Sequence, residues 1–251
     1  MEEWRYRELY ELEDRHWWFR SRRRVVRALM DQAGLGAAPR ILDAGCGTGR
    51  NLVEYASLGT VEGVDFSADA VEFCRLRGLE GVRQAALEQL PFESDRFDLI
   101  VATDVIEHLD DDRVALAELR RVAARGGRLV VTVPAYAWLW SQHDESMHHK
   151  RRYTAPRMRL ALQAAGWTPR FATYFFTALL PGVAAVRAFR RADRNGDGDG
   201  DGGGGESDLS LTSAGVGRLL ELPSRGEAKL IERGVRLPAG VSLGVVATAP
   251  E

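Results

Sequence analysis

The chain has 251 residues, with 34 basic and 36 acidic side chains and a formal net charge of −2 at pH 7. Its length favours one well-filled core with an insertion over two separate domains. Because the charge is balanced, we expect no nucleic-acid partner. Two cysteines outside any C-x-x-C pair argue against a disulfide framework. A charged amino terminus without a signal-peptide core predicts a cytoplasmic protein.

The first 38 residues combine aromatic side chains with many arginines. A helix that ends before Gly34 is predicted by an apolar stripe at helical spacing: Val25, Val26, Leu29 and Met30. We interpret residues 1–38 as a helical lid whose aromatics, Trp18 among them, cover a ligand. The alternative, compatible with the first, is a surface helix that packs on a sheet. Arginines mixed with aromatics are also typical of nucleic-acid binders, which the balanced charge disfavours.

Residues 40–52 have the pattern of a strand, a glycine turn and a helix. A short apolar run ends at Asp43, and Gly45, Gly47 and Gly49 follow in alternation. Glycine tolerates positive φ and lets a ligand approach the backbone closely. The spacing G-x-G-x-G differs from the dinucleotide fingerprint G-x-G-x-x-G, which disfavours an NAD-dependent oxidoreductase. An acid beside the turn suits a cationic ligand better than a diphosphate.

The run from Asp43 to Gly49 resembles motif I of the class I methyltransferases that use S-adenosylmethionine (SAM). Residues 16–24 resemble the helix before that motif in the UbiG/UbiE-like group, methyltransferase types 11 and 23. The resemblance covers roughly residues 16–176 and the last strand. It implies an α/β, Rossmann-like fold: a seven-stranded, mostly parallel sheet with helices on both faces and an antiparallel last strand. It also implies SAM as cofactor and methyl transfer to an oxygen, nitrogen or carbon atom of a small-molecule acceptor. A non-catalytic SAM-binding module remains an alternative.

Further acids and loops carry the resemblance along the chain. Asp65 ends a second strand 20 residues beyond Gly45, where a carboxylate accepts hydrogen bonds from ribose hydroxyls. Relatives usually hold the adenine amine with an Asp where this chain has Ala86, so backbone near Ala86 or the Glu88 side chain must contact adenine. The resemblance implies the following cofactor contacts: Arg22, Asp43, Gly45, Cys46, Gly47, Gly49, Asp65, Phe66, Ala86, Leu87, Thr103 and His108.

Two segments carry candidate catalytic chemistry. Glu107 and His108 follow the fourth predicted strand and can act as an acid/base pair, because histidine titrates near neutral pH. The alternative is that they order the loop. Residues 135–153, where this fold places acceptor loops, supply aromatics and convergent polar groups. The predicted acceptor-binding residues are Trp18, Tyr136, Trp140, His143, Asp144, Arg152 and Tyr153. The candidate bases are His108, His143 and His149.

Two alternatives remain open for the acceptor loop. One is a structural clamp in which Asp144 pairs with Arg151 or Arg152. The other is a metal site, whose spacings match no standard pattern, so we predict no metal. Its ligands would be His143, Asp144, His148 and His149.

The carboxyl-terminal third is predicted to complete the core of residues 39–191. The apolar run 175–186 is too short for a transmembrane segment, but with the arginines after it, it can touch a membrane surface or a lipid-like acceptor. Core packing is the stronger expectation for this run. Residues 192–208 are predicted to form a flexible Gly/Asp linker that lacks the final Glu of a calcium loop. Residues 209–251 are predicted to form helices, broken at Pro223 and Gly226, and the final strand.

Overall fold

The computed structural model describes residues 3–194 and 214–251 and contains one central sheet. The strand order is β3-β2-β1-β4-β5-β7-β6, with β7 antiparallel to both of its neighbours and the other pairs parallel. This confirms the predicted Rossmann-like fold and its antiparallel last strand. The strands within the described residues are β1 (Arg40–Ala44), β2 (Thr60–Asp65), β3 (Val82–Gln84), β4 (Phe97–Thr103), β5 (Ala123–Pro134), β6 (Thr168–Phe175) and β7 (Ser242–Thr248).

Helices cover both faces of the sheet. Short 3-10 turns span Ile106–His108, Ala137–Leu139 and Thr177–Leu179. The α-helices within the described residues are α1 (Glu3–Leu12), α2 (Trp17–Ala33), α3 (Arg50–Tyr55), α4 (Ala68–Leu76), α5 (Asp112–Val122), α6 (Gln142–Ser146), α7 (Ala155–Ala164), α8 (Leu180–Arg194) and α9 (Ala214–Glu232).

The sheet is apolar on both faces because each face has its own helical layer. Side chains of a strand alternate between faces, so Ile100 of β4 joins the core under α5 and α7, whereas Leu99 joins the core under α2 and α9. Both side chains are fully buried. The near-continuous apolar run of β4 is therefore what a strand covered on two sides requires.

Helix α2 belongs to the core and is not a movable cover. Val25 and Leu29 are fully buried, and the Ser224 hydroxyl of α9 donates to the Ser21 hydroxyl at 2.7 Å. Buried Glu221 of α9 pairs with Arg24 at 3.2 Å. Helix α2 thus fits the alternative of a helix that packs on the sheet. The prediction of a lid stays a prediction, and of the two helices it suits α1.

Two element boundaries differ from the sequence prediction. We expected the helix after Asp112 to continue to Ala124 and to stop at Gly126-Gly127. It ends at Val122, and β5 begins at once with Ala123 paired to Phe97. The glycines instead lie where the pairing register of β4 with β5 shifts, between Phe97 and Leu99. The backbone is tightly packed there, because a Cβ on Gly127 would lie 2.7 Å from the Ala124 carbonyl oxygen.

Helix α9 is continuous, so the predicted breaks at Pro223 and Gly226 are wrong. Proline removes one backbone hydrogen bond from the helix, yet Pro223 is exposed, and water can satisfy the carbonyl oxygen it leaves unpaired. The opposite face of the helix is held against the core by buried Ala228 and Ile231. Packing therefore outweighs the local helix-breaking preference.

The predicted linker begins at residue 192, but α8 continues to Arg194. The rest of the predicted linker, residues 195–208, lies outside the described residues. The apolar run 175–186 contributes the end of β6, a 3-10 turn and the first two turns of α8. Within residues 3–194 and 214–251, none of the helices is both long and apolar enough to cross a membrane.

Leu29→Ala is expected to lower the free energy of unfolding by about 2–5 kcal/mol, because it removes a fully buried side chain and leaves a cavity between α2 and the sheet. Urea denaturation followed by circular dichroism measures the loss. The matched control is Leu160→Ala on α7, where the side chain is 67% exposed and the expected change is within about 0.5 kcal/mol. Equal losses in the two variants would contradict the packing of α2 described above.

Candidate active site

The glycine turn joins β1 to α3 and is tied to β2. The backbone N–H groups of Gly45 and Cys46 donate to the Val64 carbonyl at 2.8 and 2.9 Å. Gly45 has φ +80°, and a Cβ there would lie 2.5 Å from Val105 Cγ2. Gly47 has φ +54°, and a Cβ there would meet no atom within 4 Å. The backbone is therefore packed at the first glycine and open to a ligand at the second.

Asp65 lies beside the open glycine, at the carboxyl end of β2. Its two oxygens accept from the backbone N–H groups of Gly47 at 2.9 Å and Ser67 at 3.0 Å. Each carboxylate oxygen can accept a further hydrogen bond. The next residue, Phe66, is 77% exposed and provides a flat apolar surface beside these acceptors. This combination suits a ribose and an attached base, as the resemblance implies.

Asp43, at the carboxyl end of β1, is fully buried, and neither of its carboxylate oxygens has a hydrogen-bond partner. Burial raises its pKa to about 7; the nearby Arg22 guanidinium opposes the rise, and Asp65 adds to it. Unpaired buried carboxylates are costly, so a native one calls for an explanation. A cationic group of a ligand would remove the cost.

Arg22 is fixed beside this carboxylate by a third acid. Its guanidinium Nη1 donates to Asp104 Oδ2 at 2.7 Å, and Asp104 Oδ1 accepts from the Thr132 hydroxyl at 3.1 Å. Asp43 thus offers a site for an ammonium group, and Arg22 offers donors for a carboxylate. Both groups occur at the methionine end of SAM, so the residues present fit the cofactor that the resemblance implies.

The residues at the end of helix α1 contact the glycine turn through bonds of Glu13 that the sequence did not indicate. Glu13, just after α1, accepts from the Thr48 hydroxyl and from the Arg77 guanidinium, whose Nε also donates to the Thr48 carbonyl at 2.8 Å. Tyr6 approaches Asp65 and hydrogen-bonds Ser67, and burial raises the pKa of Tyr6 to about 12. The one available signal was the i, i+4 spacing of aromatics at Tyr6 and Tyr10.

Other predicted cofactor residues contribute backbone or support. Cys46 and Cys74 are free and buried, with sulfur atoms 4.0 Å apart, so the Cys46 side chain packs under the turn. Leu87 is buried in the core, which leaves its backbone for a ligand, and Ala86 is half-buried. Thr103 is buried, and its hydroxyl accepts from the Asn51 amide at 3.5 Å.

Glu107, His108 and His149 meet near Asp104, beside the methionine end of the predicted SAM site; we call these three residues the acid–histidine cluster. Glu107 is fully buried, and neither of its carboxylate oxygens has a hydrogen-bond partner. Burial, followed by the charge of Asp104, raises the pKa of Glu107 well above its ordinary value. The His108 and His149 rings meet edge to face with centroids 4.7 Å apart. Burial, followed by His149, lowers the pKa of His108 to about 4, so this imidazole is neutral at pH 7.

Asp144 forms the structural clamp that we considered for the acceptor loop. It accepts from Arg152 Nε at 2.7 Å and Nη2 at 3.0 Å, from the Ser141 N–H at 2.9 Å, and pairs with His149 Nδ1 at 2.9 Å. Burial works in the opposite direction, but the bonds from His149 and Arg152 hold the pKa of Asp144 below its ordinary value. The clamp is confirmed with Arg152 as partner. Asp144 and Arg152 are bonded to each other within the protein, and their part in acceptor binding stays a prediction.

The other predicted acceptor residues divide into core and surface. Tyr153 is fully buried and its hydroxyl donates to Asp112 at 2.7 Å, so it supports the loop from below, contrary to our prediction. Tyr136 stacks on Tyr174 with ring centroids 5.0 Å apart. Trp140 Nε1 donates to Glu145 Oε1 at 3.4 Å. The half-buried His143 ring lies 6.2 Å from that of His149, at the rim of the cluster.

Trp18, predicted to contact the acceptor, stacks on Phe176 with ring centroids 4.3 Å apart. Phe176 also lines a largely apolar cavity of about 410 Å³ between the 3-10 turn before α8 and helix α9. Arg22 follows Trp18 by one helical turn, so the two side chains leave α2 on the same side. The cavity is lined by Phe176, Ala178, Leu179, Leu219, Leu220, Leu222, Pro223, Ser224 and Glu227.

Asp43→Asn is expected to change how stability depends on pH. The pKa of Asp43 rises from 3.8 to about 7 on folding. Between these pH values the folded wild-type protein binds more protons than the unfolded protein, so its stability falls as the pH rises from 3.8 to about 7. The Asn variant lacks this titration. The free energy of unfolding of the variant minus that of wild type is therefore expected to increase by a few kcal/mol from pH 4 to pH 8, because each unit of pKa shift contributes about 1.4 kcal/mol.

Denaturant unfolding at each pH measures this difference, with the exposed-site variant Asp31→Asn as control. A difference between Asp43→Asn and wild type that stays constant from pH 4 to pH 8 would contradict the description of Asp43 as buried and unpaired.

Comparison with known proteins gives a consistent result. Residues 42–131 match the family model described as a methyltransferase domain. The uncharacterized methyltransferase YcgJ of Bacillus subtilis is 32% identical over 142 residues, which cover 54% of this chain and 56% of YcgJ. A human protein named probable tRNA methyltransferase 9B is 32% identical over 115 residues, or 45% of this chain and 24% of that protein.

The chain thus spans little more than half of one of these relatives and about a quarter of the other. A solved structure of a SAM-dependent methyltransferase from Thermotoga maritima superposes with a TM-score of 0.61, covering 97% of this chain and 94% of that one at 17% identity. At that identity the likeness shows the fold alone. The family model and these relatives are consistent with that fold and support a methyltransferase domain over residues 42–131.

Proposed function

We propose that the protein is an enzyme that transfers a methyl group from SAM to a small-molecule acceptor. The observation that carries the proposal is that Asp43, a buried carboxyl group without a hydrogen-bond partner, lies near the Arg22 guanidinium and beside an open glycine turn. This arrangement suits the ammonium and carboxylate groups of an amino-acid end. With the acceptors of Asp65 at the other side of the turn, it accounts for both ends of SAM.

The reaction requires few covalent roles from the protein. SAM supplies a methyl group on a positively charged sulfur. A lone pair of the acceptor forms a bond to the methyl carbon while the carbon–sulfur bond breaks and its electrons remain on sulfur. The chain's task is to hold the two partners in line, which in enzymes contributes several kcal/mol of barrier lowering. Arg22, Asp43 and Asp65 would fix one partner.

An acceptor O–H or N–H must also lose its proton. The acid–histidine cluster is the part of the described chain best suited to promote that loss, with the neutral imidazole of His108 beside His149. His143, at the rim of the cluster, is a weaker candidate because its ring lies 6.2 Å from His149. His108, His143 and His149 therefore stay in our proposal as catalytic residues.

The acceptor is proposed to be apolar, aromatic or lipid-linked. The support is the aromatic pair Trp18–Phe176 and the largely apolar cavity that Phe176 lines. Tyr136 of the acceptor loop stacks on Tyr174 of β6 and adds a second aromatic surface. A tRNA acceptor is the competing proposal, because one relative is named as a probable tRNA methyltransferase. The nearly neutral net charge of −2 favours the small molecule.

The cofactor assignment predicts that S-adenosylhomocysteine binds the purified protein and that Asp65→Ala weakens binding at least about tenfold, because the ribose loses a charged acceptor. Isothermal titration calorimetry measures both affinities, with NAD as the parallel ligand. Glu72→Ala, an exposed carboxylate on α4, is the matched control and should bind like wild type. Tight NAD binding without a response to S-adenosylhomocysteine would overturn the assignment.

The acceptor proposal predicts that label from methyl-tritiated SAM passes to an apolar phenol or a prenyl-linked hydroxyl compound and not to bulk tRNA. Scintillation counting after organic extraction separates the two products. Trp18→Ala should reduce label in the organic phase while leaving S-adenosylhomocysteine affinity within about twofold, since it removes apolar contact area and no cofactor ligand. Label found in tRNA alone would refute the small-molecule proposal. A protein that binds S-adenosylhomocysteine and labels neither class would be a binding module.

A further inference from the structure

The acid–histidine cluster is assembled from two distant segments. Glu107 and His108 lie in the 3-10 turn after β4, and His149 comes from the loop after α6. One potential ligand atom from each residue lies within 4.8 Å of the others, and His149 Nε2 is 4.0 Å from Glu107 Oε1. The backbone fixes this approach, because the Lys150 N–H donates to the Glu107 carbonyl at 2.7 Å.

Glu107 is the unexplained member of the cluster. Its side chain is fully buried, and no donor reaches either carboxylate oxygen. It also lies near Asp104, so the surrounding charge opposes its ionisation. Buried carboxylates in proteins are paired with donors or coordinate metal ions. The inner face of the cluster therefore has a buried carboxyl group with no donor or cation bonded to it.

Both histidines are held from outside in the way that metal ligands are. His149 Nδ1 pairs with Asp144 Oδ1 at 2.9 Å, and Arg152 holds Asp144 in turn. The His108 imidazole lies near the backbone of Met147, which favours the charged form of the ring and so raises its pKa against the larger lowering by burial. Metal-ligating histidines almost always donate their second ring N–H to a carboxylate or a backbone carbonyl, which orients the ring and fixes its tautomer. One nitrogen of each ring is then left for the inner face.

We propose that Glu107, His108 and His149 bind a divalent transition-metal ion, with Asp144 as the outer carboxylate that orients His149. Two imidazoles and one carboxylate on one side of an ion form the facial arrangement used for divalent iron and related metals, with the remaining positions open. Metal–ligand bonds of about 2.0–2.2 Å place neighbouring ligand atoms roughly 3–3.5 Å apart. The present separations, which are at most 4.8 Å and 4.0 Å between His149 Nε2 and Glu107 Oε1, would close by about 1 Å on binding.

The donor set limits which ions fit. Imidazole nitrogen suits zinc, copper, iron and nickel, whereas calcium, magnesium and manganese prefer oxygen donors. The site differs from the metal alternative that the sequence suggested, because Asp144 is an outer residue and His148 is exposed. His149 is the one residue common to both sets.

The position of the ion gives it a role that rests on the proposed methyl transfer. An ion at this cluster would lie beside Asp104, which holds Arg22 at the methionine end of the SAM site. A divalent ion lowers the pKa of an oxygen bound to it and orients that oxygen. The acceptor class that follows is a hydroxyl compound, whose proton leaves to water before its oxygen attacks the methyl carbon.

The test is cobalt titration of the full chain after removal of bound metal with a chelator. Co²⁺ on nitrogen and oxygen ligands gives visible absorption bands, and one equivalent is expected to produce them at micromolar concentration. Glu107→Gln and His149→Ala each remove a ligand. Each is expected to weaken cobalt binding by more than the roughly 10–100-fold that changes to outer residues cost.

His148→Asn is the matched control, because it removes an exposed neighbouring imidazole and Asn tolerates the positive φ of this position. It should titrate like wild type. Thermal unfolding without metal checks that each variant is folded, and Glu107→Gln, which keeps the side-chain shape, is the decisive one. Wild-type bands that persist in folded Glu107→Gln, or their absence from wild type at millimolar Co²⁺, would overturn the proposal.

Calorimetry with S-adenosylhomocysteine on the same metal-free samples separates this inference from the proposed function. Retained nucleoside binding with no cobalt bands removes the metal site alone. Cobalt bands without nucleoside binding would sustain the metal site and remove the methyl-transfer assignment.

Discussion

The structure depends on keeping carboxylates buried without donors at the carboxyl ends of the parallel strands. Asp43 lies at the carboxyl end of β1 and Glu107 follows β4, and both side chains are fully buried. Desolvation of each group raises its pKa and costs free energy that hydrogen bonds normally offset. Adjacent parallel strands bring such acids together because their carboxyl ends share one edge of the sheet. The fold therefore concentrates unpaired carboxyl groups where a cationic ligand can bind and favour their ionised form.

The surroundings hold these acids in place without neutralising them. Arg22 could pair with Asp43, but Asp104 takes its guanidinium at 2.7 Å. Arg152 could approach Glu107, but its Nε and Nη2 donate to Asp144 and its Nη1 donates to the Ala135 carbonyl. In each case a second acid fixes the arginine close to the buried carboxylate and keeps it from forming the direct bond. Burial of apolar side chains between the sheet and helices α2 and α9 stabilises the fold and offsets the desolvation cost of these carboxyl groups.

Local pattern predicts the turn in the cofactor half of the site but not the contacts in the other half. Residues 43–49 are contiguous, so their spacing alone predicts a strand end followed by a glycine turn, and the structure has both there. The contact of Glu107 with His149 joins residues 42 positions apart, and no periodicity in either segment specifies it. The same holds for Glu13 over the glycine turn. Sequence reasoning also applied local rules at Pro223, where packing of the opposite face decided the outcome.

The two unpaired acids demand different cations, and this follows from their neighbours. Asp43 is next to an arginine and a glycine turn open to a ligand, so it suits an organic ammonium group whose carboxylate the arginine can bind. Glu107 faces two imidazoles whose outer nitrogens are already held, so it suits an ion with several ligand positions. Any ligand that binds only the folded state stabilises it in proportion to its concentration over its dissociation constant. Cofactor and metal would then each offset part of the desolvation cost of these acids. Because Asp104 lies near both, binding of one ligand would change the affinity for the other.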